Sequence, residues 1–453
     1  MKNRAEQSEA LGTKPVRKLL WEFAAPSMIA MCASSIYNIC DSIFIGHHSG
    51  ALAIAGMAIT FPLVNILTAF RTIASVGGSA QSSIHMGKKE RRAVHHILGN
   101  VLFLNLVFAT VLCLLGQIFI DEILSVFGAS EQTLPFARPY MRIILWGSFL
   151  SFAFQSLCGM LRSTGYPRAS MNAQLLSVVL NVLLDALFIF VFDWGIEGAA
   201  WATIVAQAIA LIYIMPRYMD RHSYLFFSRS VLNVSWHYIK EICSIGISPF
   251  LSNISGCLIV TVVNLTLIRY GGDMYVGAYG ITNRITQLLI MMVAGFGQGL
   301  QPIVGYNLGA GKFDRVRLAL RHAILIATTF TTIGYAIIAI FPGQFAMIFT
   351  SEWGMVKLCE PALRIALFTF PAVGSQMMAV TFFQSVRKAK FSVFISLSRQ
   401  LCCLLPLLLL LPKFLGVEGV WWSMSLADFY SVFVSWILLW RVLRGLKGPT
   451  KSL

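Results

Sequence analysis

Charge is what this chain has least of. Only 12% of its 453 residues are charged and 57% are hydrophobic, with a mean hydropathy of +0.73. A soluble domain is roughly a quarter charged, so these residues cannot coat a water-facing surface, whereas lipid requires no coat. Metal-ligand and disulfide spacings are missing too. The nine cysteines form no CxxC and no Cys/His pattern. Cys32, Cys40, Cys113, Cys158, Cys257, Cys402 and Cys403 lie inside apolar runs, where cysteine acts as a small hydrophobe. No acidic run of the DDxxD kind occurs, which argues against a membrane-embedded prenyl-diphosphate enzyme. The first eighteen residues (MKNRAEQSEALGTKPVRK) have no apolar centre, so no removable signal peptide is expected. The net charge of +16 does not point to nucleic acid, because the basic residues sit between apolar runs instead of clustering on soluble structure.

What the chain does have is long apolar runs. A helical span needs about 20 mostly apolar residues, and twelve fit, near 19–46, 52–80, 93–119, 134–161, 168–192, 196–218, 238–269, 275–306, 319–342, 357–384, 391–412 and 417–440. The fold class expected is all-α and integral to the membrane. Twenty-six of the 35 basic residues fall in one set of connections, among them Lys88, Lys89, Arg91, Arg92, Lys312, Arg315, Arg387, Lys388, Arg441 and Arg444. The alternate connections are short and comparatively acidic, with Asp121, Glu122, Glu131, Asp193, Glu197 and Glu352. An excess this large assigns the basic set, and both termini, to the cytoplasm.

The chain also repeats itself. Gly195-Ile-Glu-Gly-Ala-Ala-Trp201 recurs as Gly416-Val-Glu-Gly-Val-Trp-Trp422, and Ala25-Pro26-Ser27 approximately as Ser248-Pro249-Phe250. Gly87-Lys-Lys-Glu-Arg-Arg-Ala93 has a counterpart in Gly309-Ala-Gly-Lys-Phe-Asp-Arg315. The organisation expected is a cytoplasmic segment 1–18, an N-lobe 19–218, a connection 219–237, a C-lobe 238–440 and a tail 441–453. Each lobe holds six spans. An even number gives both repeats the same orientation, an arrangement that permits alternating access by rocking one bundle against the other.

Ionisable residues inside spans are functional candidates by default. Asp41 lies five or six residues before the outer end of the first span and Asp185 eight before its outer connection, and Thr203 lies eight into the sixth. At about 1.5 Å per residue the three share one depth, roughly 8–12 Å below the outer surface. Tyr37 and Asp41, like Asn181 and Asp185, are four apart and share a helix face. The cluster is rich in oxygen and suits a shared proton or a sodium ion; Asp41 and Asp185 are its possible ligands, and no other metal site is expected. With a shift of 222–223, Asp41 maps to Asn264 and Asp185 to Leu407, so the acids belong to the N-lobe alone. Asp428 and Arg399 on the last two spans are expected to form a structural ion pair. Arg71 and Arg284 can snorkel or meet carbonyls, and His47 and His48 read as solvated. Pro26 permits a kink in the helix that carries Asp41. Met28, Met31, Phe154, Gln155 and Met291 are candidates for a soft cleft wall.

With these residues in hand, the sequence resembles the multidrug and toxic compound extrusion (MATE) family from about residue 15 to 445. The carriers are Tyr37-Asn-Ile-Cys-Asp41-Ser-Ile-Phe-Ile-Gly46, Arg162-Ser-Thr-Gly-Tyr-Pro-Arg-Ala-Ser170, Asn181-Val-Leu-Leu-Asp185 and Gly195-Ile-Glu-Gly-Ala-Ala-Trp-Ala-Thr203. The resemblance implies two pseudo-symmetric six-helix bundles around a central cleft. It also implies export of organic, cationic and lipophilic compounds by antiport with protons or sodium, in a bacterial cytoplasmic membrane, without a cofactor, an enzymatic step or a nucleic-acid partner. One chain suffices to form such a cleft, so a monomer is expected. N-lobe acids match the DinF-like or MepA-like branch, where the residues matching Asp41, Asn181, Asp185 and Thr203 form the cation site and those matching Tyr37 and Pro26 are tied to bending of the first helix. The NorM-like pattern has an acid in the tenth span; here only Glu360 stands there, near the outer end. A lipid-linked saccharide flippase of the same superfamily is the alternative, set against by twelve spans instead of fourteen and by few intramembrane arginines.

Overall fold

The computed structural model describes residues 9–445, apart from 221, 222, 228–230 and 232, and all side chains there except those of 38, 39, 42 and 51. Lys2, Arg4, Arg221, Arg229, Lys447 and Lys451, with parts of segments 1–18, 219–237 and 441–453, lie outside the described residues. Among those described the chain is helical with no strand. Eleven helices are long and apolar enough to cross a membrane, and a bent pair counted as one span makes twelve.

The helices run α1 (Val16–Gly87), α2 (Arg91–Ile118), α3 (Ile120–Val126), α4 (Leu134–Ser163), α5 (Pro167–Val191), α6 (Gly195–Met219) and α7 (Trp236–Gly271). They continue as α8 (Asp273–Gly309), α9 (Phe313–Ile340), α10 (Pro342–Met347), α11 (Trp353–Ala366), α12 (Phe370–Ser385), α13 (Ala389–Leu415) and α14 (Val417–Gly445). The first two spans are one helical path broken at Gly50, whose φ of 76° is open to glycine at little cost. The expected tenth span is α11 and α12, bent by 55°. Pro371, in the first turn of α12, has no N–H to donate back to Leu367, so the helical ladder stops and restarts there.

Backbone geometry carries the repeat further than the sequence motifs do. Positive φ recurs in the pairs Gly50/Gly272, Lys89/Gly311, Gly165/Arg387 and Gly195/Gly416, spaced by 222, 222, 222 and 221 residues. Helices α2 and α9 are each 28 residues long and start 222 apart, as do the short helices α3 and α10.

The chain forms two compact units. The first holds Met1–Lys14, Ile29–Phe250 and Gly305–Ala310. Its apolar core joins Leu63, Leu67, Cys113, Met141, Leu145 and Phe152 across α1, α2 and α4. A second cluster of Ile45, Met57, Tyr140, Ile189 and Ile196 sits beside it. Close helix approach depends on small residues. A Cβ at Gly77 would strike the carbonyl of Ile242, and one at Gly246 the backbone of Ile73, so α1 and α7 touch backbone to backbone.

The second unit holds Pro15–Met28, Leu251–Val304 and Gly311–Leu453. Val263, Leu267, Tyr279, Leu404 and Trp421 anchor one of its cores, and Ile285, Val356, Leu363 and Phe370 another. The start of α1 belongs here because Gly295 and Gly299 of α8 let the backbones of Met28 and Ala24 come close. Trp21 packs edge-on against Phe296 at 6.1 Å. Outward apolar side chains such as Leu114, Ile118, Leu265, Phe394 and Phe433 remain exposed. Water would not tolerate so many, and a hydrocarbon solvent accounts for them.

Candidate functional site

The polar cluster of the first unit is assembled from α1, α4, α5 and α6. Tyr37 and Asp41 lie one turn apart on α1 before its Gly50 break. On α5, Asn181 and Asp185 lie one turn apart, and Asp185 is the last residue before a π-helical stretch, Ala186–Val191. Such wide turns are often found at functional sites. Gly195, at φ 51°, turns the chain into α6. Gly198 then lies where a Cβ would crowd the Phe188 backbone, which draws α6 against the end of α5 and brings Thr203 level with Asn181.

Asp41 is 4% exposed, Asn181 3% and Asp185 not at all. The Asn181 Nδ2 donates to Thr203 Oγ1 at 3.3 Å, and Thr203 Oγ1 donates to the Ala199 carbonyl at 3.1 Å. The Asp41 and Asp185 carboxyls face one another within hydrogen-bonding reach. Two ionised carboxylates have only acceptors, so neither can serve the other unless one of them carries a proton. Asp41 Oδ1, both Asp185 oxygens and Asn181 Oδ1 are buried and accept no hydrogen bond among the described residues. The arrangement therefore has acceptors in excess of donors. It can hold a proton, or a small cation taking oxygen ligands.

Tyr140 of α4 is a member of this neighbourhood that the sequence reading passed over. It is buried and interacts electrostatically with Asp41, Asp185 and Tyr37. The depth argument applied to the acids would have found it, since it stands six residues into its helix, about 9 Å. Arg71, given no role from sequence, lies close enough to Tyr37 to interact with it electrostatically. His48, expected to be solvated, pairs through Nε2 with the exposed Asp193 Oδ1 at 2.7 Å.

The remaining candidates are not brought together with the cluster. Pro26 is buried in α1, and the division between the two compact units passes through that helix two residues later, between Met28 and Ile29. Of the cleft candidates, Phe154 is packed out of reach, while Met28, Met31, Gln155 and Met291 keep partial exposure. In the second unit Arg399 Nε donates to Asp428 Oδ1 at 2.5 Å, as expected for an ion pair. Glu360 of α11 lies beside Gly343 at the start of α10. Among the described residues no group of three or more His, Cys, Asp or Glu side chains is placed to hold a metal ion.

Repeated membrane-spanning halves define an α-helical multi-pass membrane protein, with a sheltered carboxyl pair in the first of them. The sequence model described as MatE matches residues 26–187 and 250–409, one stretch in each half and more than half of the chain together. The chain belongs to the MatE family, whose members are transporters. It is similar to the multidrug export protein MepA of Staphylococcus haemolyticus (strain JCSC1435), 26% identical over 440 residues and 96% of each chain. The protein of the same name from Staphylococcus aureus (strain N315) is 25% identical over 451 residues, 99% of each. Among solved structures, an outward-facing multidrug resistance MATE family transporter of the MOP superfamily matches with a TM-score of 0.91. That match has 24% identity and covers 97% of this chain and 98% of the other, and it speaks for the fold alone.

Proposed function

We propose that this chain is an antiporter that exports lipophilic organic cations across a bacterial cytoplasmic membrane. In this reading the inward flow of protons, or of sodium, passes through Asp41 and Asp185. The observation that carries it is the pair of facing carboxyls whose buried oxygens have no donor among the described residues. A buried charge without a partner is costly, so the pair is best satisfied when it holds the coupling ion. Asn181, Thr203 and Tyr37 complete the oxygen shell, and Tyr140 lies against it.

The cycle follows from that preference. In the outward-open state the ion enters the carboxyl pair, the α1 path bends in the region of Pro26, and the organic substrate leaves. With the ion released inside, both halves return to accept substrate. Substrate and ion need not bind together, so exchange arises if they compete for the N-terminal half. The names of the MepA relatives support multidrug export, and the excess of basic residues in alternate connections supports cytoplasmic termini.

The test uses purified protein in lipid vesicles and a fluorescent lipophilic cation, under an imposed proton gradient and separately a sodium gradient. Wild type should accumulate the cation under one of them, and Asp41→Asn should lose that gradient-driven component. Equal transport by Asp41→Asn would remove the carboxyl pair from the coupling path.

A further inference from the structure

The second unit keeps one charged pair deep in its helices that the proposed coupling site does not use. Arg399 lies ten residues into α13 and Asp428 eleven into α14. At about 1.5 Å per residue, each is roughly 15 Å or more from the start of its helix and so near the middle of the hydrocarbon. Charged groups persist at that depth when they pair or serve a function.

The geometry is not that of a closed structural bridge. Arginine and carboxylate join most strongly as a two-pronged fork. Here only Arg399 Nε is engaged, and only with Asp428 Oδ1. The two terminal nitrogens of Arg399 and the second oxygen of Asp428 make no hydrogen bond among the described residues. The Arg399 side chain is 31% exposed and that of Asp428 11%, so the arginine is the more accessible member of the pair.

Other polar atoms gather at the same level. Arg399 sits in a π-helical stretch, Ser398–Leu404. The neighbouring Gln400 is nine-tenths buried, donates to the Ser252 carbonyl at 3.4 Å, and leaves its Oε1 buried without a partner among the described residues. Ser431, one turn beyond Asp428 on α14, is fully buried and its Oγ has no partner among the described residues either. Tyr279 of α8 is near enough to interact electrostatically with Arg399.

We propose that Arg399 recognises an anionic group, a carboxylate above all, on the transported molecule, with Asp428 as its resident counter-ion. An amphoteric substrate places its carboxylate on the terminal nitrogens of Arg399, in competition with Asp428 for the guanidinium. A substrate with a permanent positive charge and no anionic group gains nothing from Arg399. The pair therefore sets which organic cations are preferred and takes no part in coupling. This rests on the export reading of the protein.

The test compares a fluorescent permanent cation with its carboxylated, zwitterionic analogue in vesicles, for wild type, Asp428→Asn and the double variant Arg399→Gln/Asp428→Asn. The double variant replaces the pair by neutral groups of similar shape, so it leaves no buried charge unpaired. It should raise KM for the zwitterion about tenfold or more, the loss expected when a charge-assisted hydrogen bond is removed, and leave KM for the permanent cation within about twofold. Asp428→Asn alone removes the competitor for Arg399 and should lower KM for the zwitterion. If the double variant handles both substrates as wild type does, or loses both to the same extent, the pair is structural and the proposal is overturned while export stands. Wild type moving neither substrate would overturn the export reading, and this inference with it.

Discussion

Each half of this protein buries one charged arrangement in its helices, and the two are opposites. The first unit sets Asp41 against Asp185, acid facing acid, with their buried oxygens unserved by any donor among the described residues. The second sets Asp428 against Arg399, so its acid already has a cation. The scaffold beneath them is the same. Four positive-φ turn positions recur at a spacing of 221 or 222 residues, and α2 and α9 match in length. A duplicated backbone has thus been given two electrostatic tasks. An acid pair gains by taking up a mobile cation. An arginine–acid pair is already neutral and can only exchange partners.

The largest effect expected from breaking this contrast is at Asp41. Replacing it with Asn should reduce gradient-driven transport by about a hundredfold or more, the scale on which losing a charged group at a functional site acts. Initial rates in vesicles would check it, with Asp428→Asn keeping its gradient response. Next comes stability. Arg399→Gln alone leaves Asp428 buried with no partner and should destabilise the fold by about 3–5 kcal/mol. The neutral double variant should recover most of that, and thermal unfolding in detergent separates the two. A smaller effect is expected at Tyr140→Phe, which removes one hydroxyl beside the acids. It should shift the driving-ion concentration for half-maximal transport by about fivefold, near the worth of one hydrogen bond, without changing the amount of folded protein.

The smallest effect concerns the repeat itself. Lys89 is held at φ 62°, and its counterpart Gly311 at 69°. Gly311→Lys should cost about 1 kcal/mol and Lys89→Gly should be neutral or slightly stabilising, since only glycine adopts that backbone without strain. Unfolding midpoints of the two variants would show it.

Much of this was legible in the sequence, and for a physical reason: hydrocarbon imposes length and composition on each span, and those are countable. The spans, the duplication and the depth-matched Asp41, Asn181, Asp185 and Thr203 were all readable in that way. The Arg399–Asp428 pairing was readable too, since both lie in neighbouring spans with no other charge close in sequence. The break between α11 and α12 was missed because hydropathy runs on across it. Pro371 was the available signal, and Phe149 at the matching position of α4 is why that helix continues unbroken. Tyr140 escaped because a tyrosine in an apolar run reads as packing until its depth is compared with that of the acids. The π-helical stretches beside Asp185 and at Arg399 have no sequence signature. The single-pronged geometry of the Arg399 pair is likewise a matter of side-chain placement that spacing does not encode.

Whether the coupling ion passes through the acid pair is read by watching the ion instead of the substrate. Vesicles loaded with a pH-sensitive dye, and in parallel with a sodium-sensitive dye, would be given the lipophilic cation without any imposed gradient. Wild type should move one of the two ions against the substrate flux, and Asp41→Asn should move neither. Ion counter-flow of wild-type size in Asp41→Asn would take the coupling path away from the acid pair.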